Sequence, residues 1–148
     1  LPMRGKYPWG SNADVLGNMV LLGSAADGDG GERYAQGVVA GMDYLLGRNA
    51  MGQSYGTGHG ARPLLNPHHR FWAHQANPRY PKPPPGAVSG GPNTDLQDEY
   101  GRAAGLAGCP PQKCFIDHIM AYSLNEIAIN WNAALAWSAI WLDAAGRR

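Results

Sequence analysis

Glu126 is the residue best suited to proton chemistry in this sequence. It is the only acidic residue in YSLNEIAINWNA (122–133), and the chain from Ile127 to Leu142 carries no charge. A carboxyl group at the edge of an apolar, aromatic-lined site is disfavoured in its charged form and can serve as a general acid. Ser123 and Glu126 also match the S-x-x-E capping box, in which two side chains bond backbone N–H groups at a helix start. The residues alone favour the capping role, and the two roles are compatible.

A second candidate cluster is NPHHRFWAH (66–74), which places three histidines, an arginine and two aromatic residues within nine positions. As a metal site it is poor, because adjacent His68 and His69 point in different directions and no H-x-x-x-H pair is present. Histidine and arginine beside Phe71 and Trp72 suit the recognition of hydroxyl groups or a carboxylate. A polar loop that makes only local hydrogen bonds is the alternative.

Two acidic segments could hold a cation. DGDGGE (27–32) departs from the calcium-loop pattern at two positions and lies between two predicted helices, so we interpret it as a turn. GGPNTDLQDEY (90–100) is the better candidate, because Asp95, Asp98 and Glu99 supply hard oxygen ligands beside the carbonyl groups of a glycine-rich loop. A structural calcium ion is one prediction for this loop, and a solvated loop is the other.

Length and composition favour a single globular domain. The chain has 148 residues, of which 44% are apolar and 16% charged, so it is typical of neither a disordered chain nor a coiled coil. Its net charge is +1 and it contains no basic run, which argues against nucleic acid or a membrane surface as a partner. The uncharged run of 16 residues is shorter than the ~18 to 20 residues needed to span a bilayer. We therefore expect neither a nucleic-acid nor a membrane partner.

Hydrophobic periodicity predicts two helices that pack as an antiparallel hairpin. The first runs from Ser11, a suitable N-cap, to about Ala25. The second runs from about Glu32 to about Leu46, with Gly47 just beyond its end.

A third helix is predicted from about Ser123 to about Ala145. Its apolar residues go nearly all the way round, which is typical of a helix buried on every side. Three helices cannot bury it, so we expect a partner or a further part of the same fold to cover it.

Residues 47–121 hold most of the glycine and proline and show no sustained period. So long an irregular stretch indicates functional loops. Cys109 and Cys114 lie within it and are too few for a structural zinc site. They fit either a local disulfide or two free thiols.

Two segments resemble, in the right order, the two signatures of glycoside hydrolase family 9. The first is SYGTGHGARPLLNPHHR (54–70), which departs from the pattern at Gly56, where a bulky apolar residue is expected. The second is FIDHIMAYSLNEIAINWNA (115–133), which matches throughout. YPWGSN (7–12) and YLLGRNAMGQSY (44–55) are also similar to the family's late helices and their connection.

Family 9 consists of inverting cellulases built on a twelve-helix (α/α)6 barrel. The resemblance implies that residues 1–148 have an all-α fold and form the C-terminal part of such a barrel, with long functional loops, in a secreted protein. The implied function is hydrolysis of β-1,4-glucosidic bonds in cellulose or related β-glucans. The alternatives are a non-catalytic carbohydrate-binding remnant and a structural fragment that folds only with its missing part.

Matched position by position, the resemblance implies roles for five residues. Glu126 corresponds to the general acid that protonates the leaving glycosidic oxygen. His68 corresponds to a donor to substrate hydroxyl groups, and Arg70 to a substrate-binding arginine. Asp117 matches the second acidic signature position, which implies a role in holding the site in place. Trp131 corresponds to an aromatic residue that contacts sugar.

The resemblance also shows what this chain lacks. An inverting hydrolase needs a carboxylate base about 6.5 to 9.5 Å from the acid. In the family the base lies in an aspartate-rich loop of the N-terminal part, and nothing here matches that loop. We therefore expect the missing part of the barrel as a partner beside the β-1,4-glucan, and no activity from this chain alone. Tyr55, Trp72 and Tyr80 are further candidates for the walls of the cleft. No cofactor is expected for catalysis, and calcium only at Asp95 and Asp98.

Overall fold

The fold consists of helices joined by long loops. A computed structural model describes residues 5–147, apart from the side chains of residues 29 and 30. The elements in chain order are α1 (Ser11–Ala25), a π-helical turn (Ala26–Gly30), α2 (Gly31–Leu45), α3 (Glu99–Ala103), a 3-10 turn (Pro111–Lys113), α4 (Tyr122–Asn125) and α5 (Ile129–Ala145). Within residues 5–147 no strand forms, and extended pairing is limited to isolated bridges. No helix in this part of the chain is long and apolar enough to cross a membrane.

The predicted hairpin of α1 and α2 is confirmed. The two helices approach closely where Gly41 meets Met19, because a Cβ atom at Gly41 would lie 2.6 Å from the Met19 side chain. The predicted N-cap at Ser11 is wrong, since Ser11 is already helical and follows Gly10, whose left-handed backbone (φ 78°) caps the helix without a side chain. The Ser11 hydroxyl donates instead to the carbonyl of Pro92 at 2.7 Å, which ties α1 to the loop before α3.

The core joins the helices to the loops. It includes apolar residues of α1 and α2 and several residues of the irregular segment. Its central members are Val15, Leu16, Met19, Val38, Leu45, Tyr55, Leu64, Val88, Phe115 and Leu124. The loops are therefore packed parts of the domain.

Residues 47–121 are irregular as predicted, apart from α3 and the 3-10 turn. Backbone bridges hold the segment together, for example between Gly56 and Val88 and between Thr57 and Leu64. Cys109 and Cys114 form a disulfide, which decides between the two states that the sequence left open.

The prediction of one continuous helix from Ser123 to Ala145 is wrong. The backbone is extended at Glu126 (ψ 141°) and Ala128 (ψ 142°), and this break separates α4 from α5. The capping box is also wrong, because Ser123 lies inside α4 and its hydroxyl donates to the buried carboxylate of Asp98. The Ser123 hydroxyl is therefore bonded to a carboxylate from another loop and not to a backbone N–H group of its own helix.

Helix α5 is not buried on every side within this chain. One face packs against α1, and Gly23 of α1 allows the approach, because a Cβ atom there would lie 2.7 Å from the Trp137 ring. The opposite face is apolar and uncovered, with Ile129 92% and Ile140 70% exposed. Ala133 and Ala136 lie between them on the same exposed face.

Asp98 is expected to be a stability determinant of the fold. Its carboxylate is buried and accepts from the Gly101 N–H at 2.5 Å and from the hydroxyl of Ser123. The Ser123 N–H also donates to this carboxylate, at 3.3 Å. Asp98→Ala removes the acceptor of all three donors, so we predict a loss of about 2 to 4 kcal/mol in the free energy of unfolding. The control Asp43→Ala removes a carboxylate from an exposed ion pair with Arg48 and should cost at most about 1 kcal/mol. Denaturant unfolding measures both, and equal losses would contradict the prediction.

Candidate active site

The break between α4 and α5 places Glu126 between two loops. Its backbone N–H donates to the carbonyl of Tyr122 at 3.2 Å, and its own carbonyl accepts from the N–H of Gly90 at 3.0 Å. On the other side Glu126 forms a parallel bridge with His68, whose N–H donates to the Asn125 carbonyl at 2.9 Å. The extended backbone at Glu126 is thus fixed by partners on both sides.

The Glu126 side chain is half-buried and has an aromatic partner. Its Oε2 atom accepts a hydrogen bond from Nε1–H of Trp9 at 2.9 Å. The Trp9 ring lies 5.7 Å from the ring of Tyr122, which in turn lies 5.7 Å from the ring of His68. The structure therefore brings the predicted acid, the predicted hydroxyl donor and two aromatic rings into one cluster.

The two adjacent histidines have separate surroundings, as their spacing predicts. His68 places Nδ1 at 2.7 Å from the carbonyl of Ile119 and donates to it, since that oxygen can only accept. His69 stacks on Trp72 at 4.1 Å, and its Nδ1 accepts from the N–H groups of Phe71 and Trp72 at 3.3 and 3.2 Å. Desolvation, and secondarily the neighbouring His68, lower the pKa of His69. Only His68 faces the acid cluster.

Asp117 anchors the loop that precedes His68. Its two carboxylate oxygens accept from the backbone N–H groups of Leu65 and Asn66, both at 2.8 Å. The amide of Asn125 adds a longer contact of 3.4 Å to the same carboxylate. This geometry suits a residue that holds the site in place, while a part for Asp117 in the reaction stays a prediction.

Two of the predicted cleft residues have other surroundings. Tyr55 is fully buried between Tyr44 and Phe115, at ring distances of 5.7 and 4.9 Å, and burial raises the pKa of its hydroxyl. It is a core residue, so its prediction as a cleft wall is wrong. Trp131 packs its ring on the backbone of Gly10, where a Cβ atom would lie at 2.7 Å. Its contact with sugar stays a prediction.

The remaining predicted substrate residues lie at the surface. Arg70 is exposed, and Trp72 is half-buried against His69. Tyr80 is 44% exposed, and its carbonyl is 3.0 Å from Nδ1 of His74.

A cavity of about 410 Å³ lies beside the extended segment 126–128, and its volume is within the range of ~300 to 1,000 Å³ typical of ligand pockets. Its lining includes His69, Trp72, Ile127, Ala128, Ile129 and Asn132.

Sequence reasoning missed Trp9 and gave Tyr122 no role. The signal that could have identified Trp9 is YPWGSN, in which a tryptophan precedes a glycine that turns the chain into α1. Gly10 takes the left-handed backbone of that turn, and the ring of Trp9 before it contacts Tyr122 of α4. Because Trp9 and Glu126 are 117 positions apart, only the fold brings them together.

The calcium prediction stays a prediction. Among the residues that the structure describes, no group of three or more His, Cys, Asp or Glu side chains is arranged to hold a metal ion. Asp95 pairs with Lys6 at 3.2 Å, and Asp98 is bonded to Ser123 and Gly101. Both carboxylates therefore already have protein partners.

Comparison with known proteins decides the family. The model of glycosyl hydrolase family 9 matches residues 1–139. The chain belongs to glycosyl hydrolase family 9. It is 51% identical over 140 residues to a cellulose 1,4-beta-cellobiosidase from Acetivibrio thermocellus, covering 95% of this chain and 16% of that protein. It is 44% identical over 147 residues to endoglucanase C from Cellulomonas fimi, covering 98% of this chain and 13% of that protein.

Solved family 9 structures share the fold. A mutant of the thermostable endoglucanase from Alicyclobacillus acidocaldarius superposes with a TM-score of 0.79 at 40% identity, covering 95% of this chain and 27% of that one. These relatives are (α/α)6 barrel enzymes, and the all-α fold implied by the resemblance is confirmed as a fragment of that barrel. The chain therefore spans well under a third of the length of the relatives it matches.

Asp117→Asn tests the anchor of the His68 loop. An amide has only one accepting atom, so one of the two backbone N–H groups loses its partner. We predict a loss of about 1 to 3 kcal/mol in the free energy of unfolding, measured by denaturant titration. Asp143→Asn changes an exposed carboxylate that pairs with Arg147 and should shift stability by at most about 0.5 kcal/mol. A stability of Asp117→Asn equal to that of Asp143→Asn would show that Asp117 is not an anchor.

Proposed function

We propose that this chain supplies the general acid and part of the sugar-binding surface of a hydrolase that cleaves β-1,4-glucosidic bonds in cellulose or related β-glucans. The observation that carries the proposal is the position of Glu126, which is half-buried, fixed by its backbone and bonded to Trp9 beside Tyr122 and His68. Relatives named as a cellobiosidase and as endoglucanases support the substrate class. These names include an enzyme that acts at chain ends and one that acts within chains. The proposal therefore specifies the β-1,4-glucosidic bond that is cleaved, but not where along the polymer it is cleaved.

The proposed mechanism is a single displacement with inversion. Glu126 protonates the glycosidic oxygen while a water molecule attacks the anomeric carbon from the opposite face of the ring. A carboxylate base about 6.5 to 9.5 Å away takes the proton of that water. We propose that this base lies in a part of the barrel outside the chain.

The sugar would lie across the exposed side chains near Glu126. Arg70 is proposed to donate hydrogen bonds to hydroxyl groups. His68 is proposed to contact a hydroxyl group through Nε2, which accepts in the neutral ring because Nδ1–H already donates to the Ile119 carbonyl, and which donates in the imidazolium. Trp72 and Tyr80 offer flat apolar rings at the surface, which suit the faces of a pyranose. Asp117 keeps the His68 loop in register with α4.

The uncovered face of α5 supports a proposal for where the rest of the barrel packs. Ile129, Ala133, Ala136 and Ile140 follow the i, i+4, i+7, i+11 spacing of one helix face and are exposed. Small residues between two isoleucines allow close approach of another helix. We propose that the preceding part of the barrel covers this face.

The disulfide is consistent with secretion, which we also propose. Disulfides such as Cys109–Cys114 persist in oxidising compartments. An insoluble polymer must be degraded outside the cell, so the proposed substrate and the disulfide favour the same location.

A carbohydrate-binding remnant is the second candidate. It is favoured because the chain carries a predicted acid and predicted sugar-binding side chains but no segment that matches the family's base loop.

The isolated chain is expected to release no reducing sugar from carboxymethyl cellulose. The complete protein is expected to do so if the hydrolase proposal is correct.

Glu126→Gln in the complete protein tests the proposed function. Glutamine keeps the shape of the side chain but cannot donate a carboxyl proton, so turnover of cellotetraose should fall by at least about 100-fold. Binding of cellotetraose, measured by calorimetry, should change little. Glu32→Gln alters an exposed residue of α2 and is the control, with activity expected near wild type. Near-normal turnover by Glu126→Gln would refute the assignment of the acid.

Ile140→Glu tests the packing of the barrel on α5. If the face is covered, burying a charge in place of an apolar side chain should cost the complete protein about 3 kcal/mol or more in unfolding free energy. Leu21→Glu makes the same kind of change on α1 at an equally exposed position, 70% in both cases. A cost no larger at Ile140 than at Leu21 would argue against this packing.

A further inference from the structure

The bond between Trp9 and Glu126 has both of its ends fixed. Trp9 is followed by the left-handed Gly10, which is held against the ring of Trp131. Glu126 is held through its backbone by Gly90 and Tyr122. Gly90 ties the two segments together, since its carbonyl accepts from the Asn12 N–H at 2.9 Å while its N–H donates to the Glu126 carbonyl. This shared anchor holds the backbones on both sides of the 2.9 Å contact between Nε1 and Oε2.

The chemistry of the donor limits where the Glu126 proton can reside. An indole N–H can donate but cannot accept a hydrogen bond. A protonated carboxyl group has one hydroxyl oxygen and one carbonyl oxygen, and the carbonyl oxygen is the better acceptor. While Trp9 donates to Oε2, the proton of Glu126 belongs on Oε1.

We propose that Trp9 is a positioning residue that keeps Oε2 of Glu126 unprotonated and presents the proton on Oε1 to the glycosidic oxygen. This inference rests on the proposed function of Glu126 as the general acid. It adds a second task for the Trp9 side chain, beyond its ring contact with Tyr122.

The hydrogen bond from Trp9 to Glu126 also strengthens during the reaction. The proton passes from Oε1 to the glycosidic oxygen as the bond from that oxygen to the anomeric carbon breaks and its electron pair leaves with the oxygen. The departing sugar is released as an alcohol, and Glu126 becomes a carboxylate that shares its charge with Oε2. The hydrogen bond from Trp9 is then charge-assisted and stronger than before the transfer. An interaction that strengthens along the reaction raises turnover rather than substrate binding.

Substitution of Trp9 in the complete enzyme tests the proposal through the leaving group. Trp9→Phe keeps an aromatic ring but lacks the N–H donor, and 3-benzothienylalanine at the same position keeps the shape of the tryptophan ring system as well. Cellotetraose requires a proton on its leaving oxygen, whereas the 2,4-dinitrophenyl group of dinitrophenyl cellobioside leaves without one. We expect kcat for cellotetraose to fall about 10-fold to 100-fold in both variants. For dinitrophenyl cellobioside we expect less than about 3-fold change, because no acid is needed.

The chain offers a matched control. Trp141, near the C-terminal end of α5, donates from Nε1 to the carboxylate of Asp27 at 2.8 Å. Trp141→Phe removes the same kind of bond and should leave kcat for both substrates unchanged.

The outcomes distinguish a failure of the proposal for Trp9 from a failure of the proposed function of Glu126. Equal losses on both substrates for the Trp9 variants would mean that Trp9 only supports the structure, and would overturn the proposal. Wild-type kcat in the 3-benzothienylalanine variant would overturn it too. If Glu126→Gln itself shows no difference between the two substrates, the proposed function fails. If Glu126→Gln distinguishes them and the Trp9 variants do not, only the inference about Trp9 fails.

Discussion

The hydrogen bond from the Gly90 N–H to the Glu126 carbonyl, at 3.0 Å, is the contact on which the site depends most. It satisfies a carbonyl that a continuous helix would have used, and it keeps residues 126–128 extended between α4 and α5. The break redirects the Glu126 side chain to Trp9. Without it, Glu126 would be one more residue on a helix that begins near Ser123, and the cluster with His68 would not form.

Polar side chains around Glu126 hold this arrangement in place. Asp117 fixes the loop before His68, and Asp98 fixes α4 through Ser123. Asn132 of α5 bonds both backbone groups of Val88, at 2.8 Å to the N–H and 3.2 Å to the carbonyl. The irregular loops lack the regular hydrogen bonds of helices and strands, and buried backbone groups must find partners. These side chains supply the hydrogen bonds to backbone groups in the loops. The backbone around Glu126 consequently has fixed hydrogen-bond partners although the loops contain little regular structure.

The sequence predicted helices better than it predicted the surroundings of individual side chains. Periodicity located α1 and α2, and the signature segments located Glu126 and His68, because both kinds of evidence are local in the chain. The capping box at Ser123 failed because its true partner, Asp98, lies 25 positions away. Tyr55 was misplaced because an aromatic residue within a signature segment suits a core as well as a cleft. Trp9 was missed because its contact with Glu126 exists only after folding, across 117 positions.

We infer that Glu126 acts from an extended segment, with Oε2 bonded to Trp9 and Oε1 directed at the substrate. A crystal structure of the complete protein with an uncleaved cello-oligosaccharide, in a variant that lacks the catalytic base, tests it most directly. We expect a glycosidic oxygen within about 3.2 Å of Oε1 while Trp9 still donates to Oε2. An oligosaccharide whose scissile oxygen lies next to another carboxyl group, or a continuous helix through Glu126, would contradict it.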